Sequence, residues 1–194
     1  MGCNDFLTPL FERIFPIPDG VSYNSFFIDD EKTCVLDAMD KVCRDEFLED
    51  VEYLLHGRQL DYFIIQHMEP DHASSALALV EKYPNVKIVG QAQTFKFFEQ
   101  FYSEDYKANY MTVTEGDQLD LGKHKLQFIK APMVHWPEVI MTYDLTDKIL
   151  FSADAFGMFG TVGNIFADQV EYEEEYLDEA RRYYVNIVGK YGAQ

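Results

Sequence analysis

The 194-residue sequence predicts an α/β protein with mixed sheets that carry helices on their outer faces. Short apolar runs alternate with amphipathic helical stretches in the first half, and strand-like segments dominate from Tyr110 onward. A dense polar motif directly follows one buried strand, which is where open α/β sheets place their sites. The length lies near the upper end for one folding unit, so residues 1–194 are expected to form a single domain.

In the first half, Pro16, Pro18 and Gly20 mark residues 11–20 as a loop. Two strands joined by an acidic turn should follow, and then β-α units whose helices end at Gly57 and Pro84. The strands are expected over residues 23–28, 33–37, 62–65 and 86–89, and the helices over residues 45–56, 74–82 and 94–101.

In the second half, strands are expected over residues 111–114, 125–130, 139–143 and 149–152, with turns at Gly116 and Gly122. A last helix should run from about residue 173 to residue 188, with acidic residues early and Arg181 and Arg182 late, as the helix dipole favours. Its apolar stripe is predicted to consist of Leu177, Ala180, Tyr184, Ile187 and Val188.

Composition narrows the possible partners. The net charge of −18 argues against nucleic acid and anionic membrane surfaces, because both are polyanions. No apolar run approaches the roughly 20 residues of a membrane span, and the first residues lack a secretory pattern. We therefore expect a cytoplasmic protein. Cys3, Cys34 and Cys43 are odd in number and lack C-x-x-C spacing, so three reduced thiols are expected.

The segment QHMEPDHASS places four possible metal ligands within six residues. His67, Glu69 and Asp71 are spaced so that an extended or looping segment projects them to one side. His72 should point elsewhere, toward a second metal, and Pro70 stiffens the segment. The alternative is a hydrated loop in which Asp71 or Ser74 caps the next helix.

Three further polar residues are ambiguous on their own. His135 could be a ligand or a core histidine, and Asp154 could be a ligand, a helix cap or a turn residue. His124 lies on a predicted turn and His56 at a helix end, and both are expected to be exposed to solvent.

Four segments together resemble the flavodiiron proteins, in that family's order: IPDGVSYNSFFI, HMEPDHASS, APMVHWPEVIMTY and ILFSADAFGMFG. The resemblance implies a metallo-β-lactamase-like αββα sandwich and a non-haem diiron centre that reduces O2 to water or NO to N2O. It further implies one iron at His67, Glu69 and His135, a second at Asp71 and His72, and Asp154 as the bridge. Glu69 favours iron over zinc, because a carboxylate in place of imidazole makes a harder, more anionic site.

The sequence departs from this family in three ways. It has no histidine after His135, so the last ligand of the second iron is missing. A flavodoxin-like FMN domain and an early strand before residues 17–28 are also expected to be absent, leaving the fold incomplete at both ends. Exposed sheet edges favour a homodimer, which the resemblance also implies, together with electrons from a rubredoxin or a flavin-containing donor. Because of the missing parts, little reductase activity is expected from this chain alone.

The sequence is also compatible with three other functional hypotheses. The chain could be a non-catalytic diiron sensor that binds O2 reversibly. It could be a zinc hydrolase of the metallo-β-lactamase fold, in which a metal-bound hydroxide attacks an ester or amide. The missing histidine also allows a degenerate site that binds one metal or none.

Overall fold

A computed structural model describes residues 1–102, 106–164, 167–170 and 174–193 of the chain. Most elements lie within a few residues of their predicted bounds. The strands in these residues are β1 (Gly2–Asp5), β2 (Leu10–Phe11), β3 (Phe15–Pro16), β4 (Val21–Asn24), β5 (Phe26–Ile28), β6 (Cys34–Leu36), β7 (Tyr62–Ile64), β8 (Lys87–Gly90), β9 (Tyr110–Thr112), β10 (Gln118–Asp120), β11 (Lys125–Lys130), β12 (Ile140–Asp144) and β13 (Ile149–Phe151).

The helices alternate with strands in the first half and close the described chain. They are α1 (Arg44–Leu55), α2 (Pro70–Ala73), α3 (Ala76–Lys82), α4 (Ala92–Tyr102) and α5 (Glu174–Asn186). Short 3-10 turns occupy Lys41–Cys43, Lys107–Asn109, Ala167–Gln169 and Gly189–Tyr191. No helix of the described residues is both long and apolar enough to cross a membrane.

Two sheets form the centre of the structure. The first has the order β5-β6-β7-β8-β9, in which β5 runs antiparallel to β6 and the other neighbours are parallel. The second is the antiparallel sheet β10-β11-β12-β13. The pairs β1-β4 and β2-β3 form two small antiparallel ribbons. The prediction of mixed sheets is confirmed.

Alternation along the first sheet separates two hydrophobic cores, because neighbouring side chains point to opposite faces. Phe63 belongs to the core beneath the helices, whereas its neighbour Ile64 belongs to the core between the two sheets. Helices α1, α3 and α4 supply the first core with side chains such as Phe47, Leu79 and Phe98. The described residues therefore form a helical layer, the first sheet and the second sheet, in that order.

The loops at the carboxyl ends of β6 and β7 are joined to each other and to the second sheet. The Asp37 N–H donates to Ile64 O, the Ile65 N–H to Val89 O, and the Ile140 N–H to Gln66 O. These bonds fix the chain at the point where the polar motif begins. The motif itself forms the four-residue helix α2, with Glu69 at its N-cap position and Pro70 in its first turn.

Some local expectations were wrong. An early strand is present, because β1 pairs with β4 over Gly2↔Asn24 to Asp5↔Val21. The predicted helix over residues 74–82 begins at Ala76, and its N-cap residue Ser75 makes no side-chain capping bond. In the predicted stripe of the last helix, Ile187 and Val188 are buried as expected, but Leu177 and Tyr184 are exposed and Tyr183 is buried instead. Residue 173, the predicted start of that helix, lies outside the described residues.

The expectation of three reduced thiols was also wrong. Cys3 and Cys43 form a disulfide across 40 residues of sequence, whereas Cys34 is free and buried. The spacing of the cysteines along the chain did not predict this pair. The two cysteines meet because β1, which pairs with β4, lies next to the 3-10 turn that precedes α1. The bond ties the first strand to the segment that leads into the first helix.

Replacing both cysteines of the disulfide by serine is expected to lower stability by about 4 kcal/mol, because the cross-link closes a long loop in the unfolded chain. In a protein of this size that corresponds to a melting temperature lower by roughly 8–16 °C, measured by calorimetry. A thiol reductant should lower the melting temperature of the original chain by a similar amount and leave the double variant unchanged. Equal melting temperatures of the two proteins would show that the bond contributes nothing.

Candidate metal centre

The six predicted ligands come from three loops that meet beyond the carboxyl ends of the first sheet. His67 follows β7, and Glu69, Asp71 and His72 lie at the start of α2 or within it. His135 lies in the loop between β11 and β12, and Asp154 lies in the loop after β13. The structure brings all six into two adjoining groups that share Asp154.

The first group consists of His67, Glu69, His135 and Asp154. The two imidazole Nε2 atoms face each other at 3.3 Å. Both approach Glu69 Oε2, at 3.2 Å from His67 and 2.8 Å from His135, and both lie 3.1–3.2 Å from Asp154 Oδ2. All four side chains are buried.

The second group consists of Asp71, His72 and Asp154. His72 Nε2 lies 2.8 Å from Asp154 Oδ1 and 3.6 Å from Asp71 Oδ2. Asp154 therefore directs Oδ2 toward the first group and Oδ1 toward the second. That is the arrangement expected of a carboxylate that bridges two cations.

The donor atoms fit a divalent transition metal. Four ligands at about 2.1 Å from a tetrahedral ion lie roughly 3.4 Å from one another, close to the separations in the first group. Glu69 Oε1 and Asp71 Oδ1 are buried and have no hydrogen-bond partner among the described residues. A buried carboxylate oxygen without a partner is costly, and a cation would supply the missing interaction.

Electrostatics point the same way. Burial alone would lower the pKa of His135, but hydrogen bonds and charge from Asp154 and Glu69 raise it to about 9. Burial likewise opposes the charged forms of His67 and His72, and nearby carboxylates raise both pKa values nevertheless. The pKa of Asp71 is raised, first by its own burial and then by the charges of Glu69 and Asp154. The pocket strongly attracts positive charge.

Two carboxylates that were not predicted from the sequence orient His67 and His72. His67 donates from Nδ1 to Glu138 Oε1 at 2.8 Å, and the Met68 N–H donates to the same oxygen at 2.9 Å. His72 donates from Nδ1 to Asp37 Oδ2 at 3.1 Å. Each imidazole thereby presents Nε2 to the centre, as metal-binding histidines usually do. In the sequence, only their positions marked these two acids: Glu138 lies three residues after His135, and Asp37 directly follows β6.

Two aromatic residues, Tyr183 and Trp136, lie next to the ligands of the two groups. The Tyr183 hydroxyl on α5 donates to Asp154 Oδ1 at 3.1 Å. The Trp136 ring stands perpendicular to the His67 ring at 5.2 Å and contacts Phe97 on α4. Tyr183 was missed because the predicted stripe of α5 placed its neighbour in the core.

A cavity of about 320 Å³ opens onto the second group, and of the first group it is lined by the shared Asp154 alone. Asp71, His72 and Asp154 form part of its wall, together with Tyr183 and several aromatic and aliphatic side chains. The polar and apolar lining suits a small ligand with access to the second group.

A third cluster lies away from this centre, on the β10–β13 sheet. His124 Nδ1 lies 2.7 Å from Asp144 Oδ2 and 3.9 Å from Asp147. The exposed position expected for His124 was wrong, because its side chain is mostly covered; His56 is exposed as predicted. The His124–Asp144 hydrogen bond holds two turns of this sheet together.

Comparisons with known proteins show the family to which the chain belongs. The family model described as "ODP family beta lactamase" matches residues 21–189. The chain belongs to this family. It is 37% identical over 180 residues to the anaerobic nitric oxide reductase flavorubredoxin of Aliivibrio salmonicida, covering 92% of this chain and 36% of that protein.

Solved structures place the same fold in flavodiiron proteins. Rubredoxin oxygen:oxidoreductase from Desulfovibrio gigas matches with a TM-score of 0.91 and 30% identity, over 99% of this chain and 47% of that one. The flavodiiron protein of Giardia intestinalis matches with a TM-score of 0.91 and 31% identity, over 99% and 46%. The mixed α/β fold is thus the flavodiiron metallo-β-lactamase-like domain. The chain spans about a third of its curated relative and about half of these solved chains.

The orienting role of Glu138 can be tested by Glu138→Gln, which keeps the shape of the side chain and removes its charge. Metal affinity should fall about 10- to 100-fold, because His67 loses the partner that fixes its ring. Competition with a chromophoric chelator measures the change.

Asp144→Asn is the matched control, because Asp144 is a buried carboxylate bonded to a histidine at a similar distance, remote from the centre. It should leave metal affinity unchanged. Equal affinities of the original chain and the Glu138→Gln variant would contradict the role assigned to Glu138.

Proposed function

We propose that the chain is a flavodiiron-type oxidoreductase domain that binds two iron ions and reduces O2 to water or NO to N2O. The observation that carries the proposal is the pair of adjoining groups that share Asp154, with Glu69 in the first. The balanced reactions are O2 + 4e⁻ + 4H⁺ → 2H2O and 2NO + 2e⁻ + 2H⁺ → N2O + H2O. Similarity to a nitric oxide reductase and to an oxygen oxidoreductase supports both substrates.

In this proposal His67, Glu69 and His135 would hold one iron, Asp71 and His72 would hold the other, and Asp154 would be shared by both. The three carboxylates carry a formal charge of about −3, in keeping with the preference of the pocket for cations, and two divalent ions would leave a formal charge of about +1. Glu69 favours iron over zinc because an anionic oxygen ligand stabilises the ferric state. Bound iron would supply the coordination positions and the electron transfer at which O2 or NO is reduced.

The residues of the chain control access and orientation. Glu138 and Asp37 hold the imidazole rings, and Tyr183 holds a hydroxyl proton at Asp154 Oδ1. Trp136 and Phe97 cover the His67 side with apolar rings, so water and ligands reach the centre through the cavity beside the second group. The small ligand therefore approaches Asp71 and His72 first.

Electrons must come from a donor, because the ligands of this centre are not themselves redox carriers. We propose FMN or a rubredoxin-type protein as that donor, a homodimer as the working assembly and the cytoplasm as its location. The names of two relatives, a flavorubredoxin and a rubredoxin oxygen:oxidoreductase, support this class of donor. Little turnover is expected from these 194 residues when no efficient electron donor is present.

The test starts with anaerobic reconstitution of the chain with Fe²⁺. We expect about two irons per chain, with loss of iron from both positions in the Asp154→Asn variant because the shared ligand is weakened. Asp144→Asn is again the matched control and should keep both irons. Metal analysis and Mössbauer spectroscopy measure occupancy and coupling.

Turnover is then followed with O2 and NO electrodes in the presence of a reduced flavin. We expect slow reduction of either gas above the rate given by the reduced flavin alone, and loss of this excess in Asp154→Asn. Reversible O2 binding without reduction would replace the proposal by a sensor, and zinc binding with ester or amide hydrolysis would replace it by a hydrolase. A chain that binds no metal would overturn it outright.

A further inference from the structure

Gln66 is a buried polar residue beside the centre that the proposed ligand set leaves unused. It is 2% exposed and lines the cavity next to the second group. Its backbone is fixed on both sides: the Gln66 N–H donates to Asp37 Oδ1 at 2.7 Å, and the Ile140 N–H donates to Gln66 O. The side chain therefore has little freedom in where it points.

The orientation of the Gln66 amide follows from its partner. Its Nε2 donates to Asp37 Oδ2 at 3.2 Å, and a carboxylate next to an amide receives the NH2 end. The position of Oε1, the other terminal atom of the same planar amide, is fixed by this bond. Oε1 is buried and has no hydrogen-bond partner among the described residues.

A buried carbonyl oxygen without a partner costs free energy, so such atoms in folded proteins usually receive a hydrogen bond from water or a ligand. The cavity that Gln66 lines is also lined by Asp71, His72 and Asp154. The three neighbours can bind a cation through charged or imidazole groups, whereas Gln66 Oε1 is a neutral amide oxygen that accepts a hydrogen bond. A ligand that interacts with both sides of the cavity must bind a cation through an oxygen atom on one side. On the other side it must donate a hydrogen bond from an O–H group to Gln66 Oε1.

We propose that Gln66 Oε1 receives a hydrogen bond from a hydroxyl-bearing ligand, water in the first instance, held against the wall formed by Asp71, His72 and Asp154. Gln66 is thus a positioning and specificity residue of the cavity, selecting oxygen ligands that carry a proton. The metal-side half of this inference rests on the proposed function. Water is a product of both proposed reactions, so the residue would hold the product oxygen or the water that delivers protons.

The first test needs no metal. A high-resolution crystal structure of the chain should show an ordered water within hydrogen-bond distance of Gln66 Oε1. The water should be absent from Gln66→Met, which has nearly the same shape but no acceptor. Gln127→Met is the control, because Gln127 lies on β11 of the second sheet and does not line the cavity. An Oε1 bonded to another protein group, or to nothing, would overturn the proposal.

The second test uses two probes of the same size and charge on the Fe²⁺-loaded chain. Bicarbonate and acetate differ only by a hydroxyl in place of a methyl group. Isothermal titration should show that Gln66→Met lowers the preference for bicarbonate over acetate by about 3- to 10-fold, the size of one hydrogen bond. Gln127→Met should leave the ratio unchanged.

The outcomes separate this inference from the proposed function. Equal loss of both probes in Gln66→Met would mean that Gln66 only supports Asp37 and His72, and an unchanged ratio would mean that the ligand does not reach it; either result overturns the inference. Iron content and gas reduction report on the proposed function independently. If the chain takes up no iron, the crystallographic test alone decides the role of Gln66.

Discussion

The structure depends on one electrostatic constraint: several carboxylates and three imidazoles are buried together at one end of the first sheet. Charged groups in such a place must find opposite charge or hydrogen bonds, because burial without a partner is expensive. The protein meets part of this demand internally, through Glu138 for His67 and Asp37 for His72. Glu69 Oε1 and Asp71 Oδ1 are left without a hydrogen-bond partner among the described residues, which is why the centre favours cations.

Much of the surrounding fold serves to hold the loops of this centre in place. The segment after β6 is bonded to α2, since the Ala38 N–H donates to His72 O and the Lys41 N–H to Ser74 Oγ. Tyr102 on α4 donates to Ala73 O at the end of the same helix. On the opposite side, Gln91 donates to the carbonyls of Glu138 and Val139. Rigid elements therefore fix a site that is built from loops.

Sequence patterns predicted the features that depend on local order. Alternating strands and helices and the dense H-x-E-x-D-H spacing identified the sheet and the first loop of the centre from single segments. His135 and Asp154 were ambiguous alone and needed the resemblance of longer segments, because their partners in the first motif, Glu69 and His72, are 66 and 82 residues away. Glu138, Asp37 and Tyr183 could not be predicted, since a lone acid or tyrosine carries no information about distance. The disulfide between Cys3 and Cys43 was missed for the same reason.

The bridging position of Asp154 makes the two groups thermodynamically dependent. One oxygen faces each group, so any movement that turns the Asp154 carboxylate disturbs both groups at once. A cation that bound in one group would therefore change the affinity of the other, and by linkage the reverse would hold equally.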